Sequence, residues 1–162
     1  MFVIGVDPGV SRCGYAVVER MGARTRAVAI GVLTTPPSDP LPRRLADLQT
    51  DLAALLDEFA PGVLAIERVL FQANVRTAMS VGQASGIAMA EAARRGIDVV
   101  EYSPNQVKGA VTGYGAADKQ QVQRMVQTIL GLAEVPRPAD AADAAAVALC
   151  HLAHAPLAGA GR

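Results

Sequence analysis

The chain has 162 residues, a length that fits one domain with a core large enough to need no disulfide staples. It is 51% hydrophobic and only 4% aromatic, without Trp, so the core must come from Ala, Val, Leu and Ile, and global disorder is excluded. The formal net charge of zero argues against a nucleic-acid partner, unless acids are bound to metal: setting four of the 15 acids aside leaves 11 against 15 bases, a balance of +4.

Residues 2–6 form a short apolar run stopped by Asp7-Pro8-Gly9, a turn signal. Residues 14–20 and 27–33 read as two more strands around a turn at Gly22, together an antiparallel meander. Pro36, Pro37, Pro40 and Pro42 mark a loop. Leu45, Leu48, Leu52, Leu55, Leu56 and Phe59 then follow helical spacing, predicting an amphipathic helix over 43–59. A buried strand is expected at 63–67, a long helix at 74–95 stopped by Gly96, and a strand at 98–102. Pro104 opens a short helix to about 112, and Asp118 caps a helix with Val122, Met125, Val126, Ile129 and Leu130 on one face. A last helix is expected at 140–154, making 1–154 a single domain and 155–162 a frayed tail. This order predicts an α/β fold, a five-stranded mixed sheet flanked by helices. Cys13 and Cys150 lie in apolar surroundings without metal-ligand spacing, as free buried thiols of a cytoplasmic protein do. No signal peptide or membrane-spanning run is visible, so a cytoplasmic location is expected.

Four acids carry candidate chemistry. Asp7 follows a buried strand, where α/β proteins bind ligands, although an Asp that simply starts a turn has the same pattern. Glu67 ends the apolar strand Val63-Leu64-Ala65-Ile66; it is either a site residue or a strand-end acid paired with Arg68 or another base. Asp140 and Asp143 are spaced i, i+3, so both can face one point; the plainer reading is a helix cap and a first-turn acid. Their alanine neighbours permit close approach of the helix to the sheet. Like charges about 4 Å apart repel by roughly 4 kcal/mol at an effective dielectric of 20, and divalent cations remove that penalty. All-oxygen ligands suit Mg²⁺ or Mn²⁺, and two such ions can activate water and stabilise the leaving oxygen of a phosphodiester. Among 15 basic residues only Lys108 and Lys119 are lysines, either by chance or for their compact, strongly hydrated charge.

These residues lie in motifs that resemble the RuvC family. Gly5-Val6-Asp7-Pro8-Gly9-Val10-Ser11-Arg12-Cys13-Gly14 resembles its opening motif, and Ala65-Ile66-Glu67-Arg68-Val69 its second acidic motif. Val81-Gly82-Gln83-Ala84-Ser85-Gly86, Asp118-Lys119-Gln120-Gln121-Val122-Gln123 and Ala139-Asp140-Ala141-Ala142-Asp143-Ala144 follow in the family's order. The resemblance covers residues 1–154, nearly the whole chain. It implies the ribonuclease H-like fold, a homodimer, Mg²⁺-dependent cleavage of four-way Holliday junction DNA in recombination and repair, and work beside the branch-migration motor of RuvA and RuvB. It places Asp7, Glu67, Asp140 and Asp143 as catalytic metal ligands, and Lys108 and Lys119 near the DNA. The family's aromatic after the second acid falls on Phe71 here, with spacing shifted by one.

Arg68 and Arg76 flank Phe71 in an acid-free stretch, either a patch for phosphates or an ordinary solvated helix start. Gly82 and Gly86, i, i+4 in a helix, imply close approach, on the sheet in preference to a dimer interface. In the expected mechanism a metal-activated water attacks in line, Asp7 bridges two metals, Glu67, Asp140 and Asp143 complete their shells, and Lys119 stabilises the phosphate or orients the water. The competing readings are an actin-like nucleotide-binding protein, which needs a second domain this length does not supply, and a non-catalytic junction-binding protein.

Overall fold

The computed structural model describes residues 1–68 and 75–156. The apolar runs form β1 (Phe2–Asp7), β2 (Arg12–Met21), β3 (Arg24–Thr34), β4 (Val63–Glu67) and β5 (Asp98–Tyr102). The first three make the expected antiparallel meander, and β4 and β5 join β1 in parallel, giving one mixed sheet in the order β3-β2-β1-β4-β5. β2 and β3 outrun their predicted bounds because their ladder continues to Met21 opposite Arg24, closed by a two-residue turn. Gly22 sits there at φ 60°, in the left-handed region that glycine tolerates.

Five helices complete the described chain: α1 (Leu41–Phe59), α2 (Val75–Arg94), α3 (Pro104–Thr112), α4 (Lys119–Leu130) and α5 (Ala139–His154). α1 begins two residues earlier than predicted and takes in Pro42, since a proline in the first turn sacrifices no intrahelical hydrogen bond. α4 starts where Asp118 predicts, with a reciprocal cap: the Asp118 carboxylate accepts from Gln121 N–H and the Gln121 side chain accepts from Asp118 N–H, both at 2.8 Å. In α5 the N-cap is Pro138, so Asp140 lies inside the first turn and makes no capping bond. The frayed tail expected at 155–162 lies, from residue 157 on, outside the described residues.

The sheet is covered on both faces. On one, Leu48, Leu52 and Leu56 of α1 and Ala84, Ala88 and Ala92 of α2 pack against Ile4, Val6, Val17, Leu64 and Ile66. Arg95 ties these two helices together by pairing with Asp57 and Glu91, and Glu91 also accepts from Gln49 at 2.6 Å. On the other face α3, α4 and α5 surround a core that includes Val3, Ala16, Val18, Val107, Val126 and Val147. Cys13 and Cys150 are free and buried, as expected, and burial pushes their thiols up to about 12 and about 11. None of the described helices is long and apolar enough to cross a membrane.

α5 lies unusually close to the strands beneath it. A Cβ on Gly5 of β1 would collide with the carbonyl oxygen of Ala144, and one on Gly14 of β2 with that of Asp140. The helix answers with Ala141, Ala144, Ala145 and Ala148, all fully buried. Its far end is fastened by Arg20, whose guanidinium donates to the carbonyls of Leu152 and Ala155.

The outward face of α2 corrects one expectation. A Cβ at Gly82 or Gly86 would meet nothing within 4 Å, so these glycines do not serve packing on the sheet. They lie on the helix face opposite Ala84 and Ala88, which do.

Gly14→Ala is expected to destabilise the protein by about 1–3 kcal/mol through overpacking. Gly109→Ala, inside α3 with open space around it, should instead be neutral or stabilising by up to about 1 kcal/mol. Urea unfolding followed by circular dichroism measures both; equal effects would contradict the close-approach account.

Candidate active site

β1 and β4 run parallel and in register, with Val6 beside Ile66, so the next residues, Asp7 and Glu67, end adjacent strands at one edge. On the other side of β1, Asp7 pairs with Gly14, and Gly14 lies directly under the backbone of Asp140. The contact that lets α5 down onto the sheet therefore also carries its first turn, with Asp140 and then Asp143, over the strand ends. The sequence-predicted acids are brought together.

Their proximity is legible in their titration. Burial pushes the Asp7 carboxyl up to about 8, reinforced by the charges of Asp143, Asp140 and Glu67 and opposed by Lys119. Glu67 is raised by burial and by Asp143, against Lys108 and Lys119. Asp143 is raised chiefly by burial, against its contact with Lys119.

Both predicted lysines border the cluster. Lys119 is the first residue of α4, and its Nζ lies 3.2 Å from Asp143 Oδ2. A cation at a helix N-terminus faces the positive end of the dipole; Asp143 offsets that cost and raises the Lys119 pKa. Lys108 on half-buried ground in α3 is near enough to Glu67 to oppose its upward shift.

The remaining predicted residues are less central. Arg68 turns away from Glu67: its Nε lies 3.5 Å from Glu101 Oε2, and its backbone N–H donates to Tyr102 at 2.7 Å. Arg76 is exposed in the first turn of α2. Phe71 lies outside the described residues.

Arg12 belongs to the site but escapes a search for acids and lysines. It opens β2 at the same edge, with its Nε 3.5 Å from Asp140 Oδ2. Its place five residues after Asp7, across a tight turn, is the signal that could have found it. A Cβ on Gly9 would collide with the Arg12 carbonyl, which is why that turn needs glycine.

Four carboxylates, with burial and neighbouring charge pushing Asp7 up to about 8 when no cation is present, form an all-oxygen donor set that fits a hard divalent ion. Among the described residues, no three His, Cys, Asp or Glu side chains converge closely enough to hold one ion as they stand. The two α5 acids instead lean on Arg12 and Lys119, so ion binding entails moving these side chains inward.

The family model described as crossover junction endodeoxyribonuclease RuvC matches residues 3–151. A protein of that name from Leifsonia xyli is 51% identical over 150 residues, covering 92% of this chain and 72% of its own. One from Chloroflexus aggregans is 51% identical over 156 residues, covering 96% and 95%. The solved structure of Thermus thermophilus RuvC in complex with Holliday junction substrate superposes with a TM-score of 0.90 at 38% identity, covering 95% of this chain and 94% of that one.

With its pKa at about 8 in the folded, metal-free protein and near 3.8 when unfolded, Asp7 costs stability progressively as pH rises from about 4 to about 8. Asp7→Asn should therefore melt above the parent chain in EDTA, by a margin that widens over that range and levels off beyond it. Mg²⁺ should narrow the margin. Thermal melts followed by circular dichroism at pH 5, 7 and 9 test this; a margin independent of pH would refute the clustering of charge at Asp7.

Proposed function

Because this chain belongs to the RuvC family of crossover junction endodeoxyribonucleases, we propose that it resolves four-way (Holliday) DNA junctions by paired, symmetric phosphodiester hydrolysis. Its fold is ribonuclease H-like. The observation that carries the reading is the meeting of Asp7 and Glu67, on adjacent parallel strand ends, with Asp140 and Asp143 from α5.

Asp7, Glu67, Asp140 and Asp143 would hold Mg²⁺, two ions per site with Mn²⁺ as a substitute. When bound, such ions supply activation of the attacking water and stabilisation of the leaving oxygen. Asp7, whose carboxyl is raised by burial and by the other three acids, would be the central ligand, and a bound cation would favour its ionised form. Glu67, Asp140 and Asp143 would complete the ligand set. Lys119 holds its positive charge beside Asp143 and meets the phosphate under attack. Lys108, near Glu67, contributes a second cation toward the incoming strand. By the family resemblance Arg68, Phe71 and Arg76 would contact the DNA, with Phe71 as the candidate wedge at the junction centre.

A junction offers two equivalent strands, which suits a two-fold homodimer. Val75, Met79, Gly82 and Gly86 form one stripe along α2, with Val75 and Met79 73% and 60% exposed. An apolar stripe that small residues leave open to close approach supports this face as the dimer contact. By family membership the enzyme works in the cytoplasm beside the branch-migration motor, RuvA and RuvB.

A synthetic four-way junction should be cut at paired symmetric positions only with Mg²⁺, while the matching linear duplex is left intact. Asp7→Asn should abolish cutting and retain junction binding, and Lys119→Ala should slow cutting about 10²–10³-fold. Intact binding without cutting across many core sequences would favour a non-catalytic junction protein. Cutting of both substrates would make it a broader nuclease. Met79→Glu should convert a dimer into monomers in sedimentation velocity; an unchanged dimer would move the contact elsewhere.

A further inference from the structure

Arg12 is the cation that the scheme above leaves without a task. Its side chain is 62% exposed, and its ion pair is with Asp140, one of the four acids. Its backbone is held on several sides. It pairs with Thr34 in the β2–β3 ladder, and the turn at Gly9 packs against its carbonyl. Arg44 donates from Nη2 to Ser11 Oγ at 2.6 Å and from Nε to Thr35 Oγ1 at 2.9 Å. The Thr35 hydroxyl, in a residue only 4% exposed, donates onward to the Val10 carbonyl at 2.6 Å. The loop between Asp7 and Arg12 is thus braced on α1 and on the residue after β3, while the Arg12 side chain extends to Asp140.

We infer that Arg12 is a phosphate-binding residue held in reserve by Asp140: a cation taken up at Asp140 releases the guanidinium to the DNA strand entering the site. An ion pair this exposed is weak and readily exchanged. A divalent ion on the same carboxylate would repel Arg12, and a phosphate oxygen pair matches the guanidinium fork better than a carboxylate already engaged. The placement has a purpose. Lys108 lies on the β4 side of the acids, near Glu67, and Lys119 reaches them from α4. Arg12 stands on the β2 side, so the three cations would clasp the strand from both flanks of β1.

The inference rests on the nuclease reading, and its test separates the two. Binding of a fluorescent four-way junction is measured over a range of KCl at fixed Ca²⁺ for the parent chain, Arg12→Gln, Arg12→Lys and Arg24→Gln, a control at the far tip of the β2–β3 hairpin. Arg12→Gln should lower the slope of log affinity against log salt by about 1 and weaken binding at low salt about tenfold. Arg12→Lys should keep the slope, and Arg24→Gln should change neither quantity. In the absence of DNA, Mn²⁺ binding followed by electron paramagnetic resonance should tighten several-fold in Arg12→Gln, because a competing cation has been removed. A slope equal to the parent's would overturn the phosphate role, and Mn²⁺ affinity that stays equal or falls would overturn the exchange at Asp140. If the parent chain itself fails to prefer the junction over duplex, the junction-resolving reading fails first.

Discussion

The site exists because one helix is allowed nearly to touch the sheet. α5 rests on the bare backbone of Gly5 and Gly14, and any side chain at either position would strike a helix carbonyl. The helix meets this with alanine, so the fit is between surfaces that both lack bulk. Dispersion at such short range is favourable, and its loss on separation is steep. The consequence is positional. Asp140 and Asp143 are set within reach of Asp7, and the depth of the helix on the sheet determines how strongly the acids feel one another.

That proximity is costly in the resting protein. Burial and mutual repulsion raise Asp7, Glu67 and Asp143 together, and two lysines offset part of the cost: Lys119, beside Asp143, for all three acids, and Lys108 for Glu67. The rest of the fold supplies the rigidity that holds such a cluster. On the opposite face α1 and α2 bury an aliphatic layer and are joined by the Asp57–Arg95–Glu91 network. Arg44, from the same α1, braces the loop that follows Asp7. The face of α1 and α2 thus carries packing and bracing, while the face of α3, α4 and α5 combines its own aliphatic core with the arrangement of charge at the strand ends.

Much of this was readable in the amino-acid order. Apolar periodicity together with turn, proline and cap signals placed the ten described elements, and the Asp118 cap and the meander followed from local chemistry. The acids could be nominated by their places at strand ends and at i, i+3 in an alanine-rich helix. The misreadings have physical causes. Pro42 looked like a loop residue because a proline's tolerance in a helix depends on its turn number, which the sequence does not display. Gly82 and Gly86 resembled packing glycines because spacing alone does not reveal which face of a helix looks outward. Arg12 was passed over because its partner, Asp140, is 128 residues away in the chain.

By itself, then, the sequence determined the elements and the mixed sheet, while for the four acids local pattern left plainer readings open and the family resemblance singled them out. Tertiary structure alone decided that Asp140 is free of any capping role, that Arg68 turns to Glu101, and that Arg12 pairs with Asp140. Each of these depends on the height and rotation of α5 or on the register of a strand edge. Such quantities arise from contacts between distant segments, and no local pattern of residues encodes them.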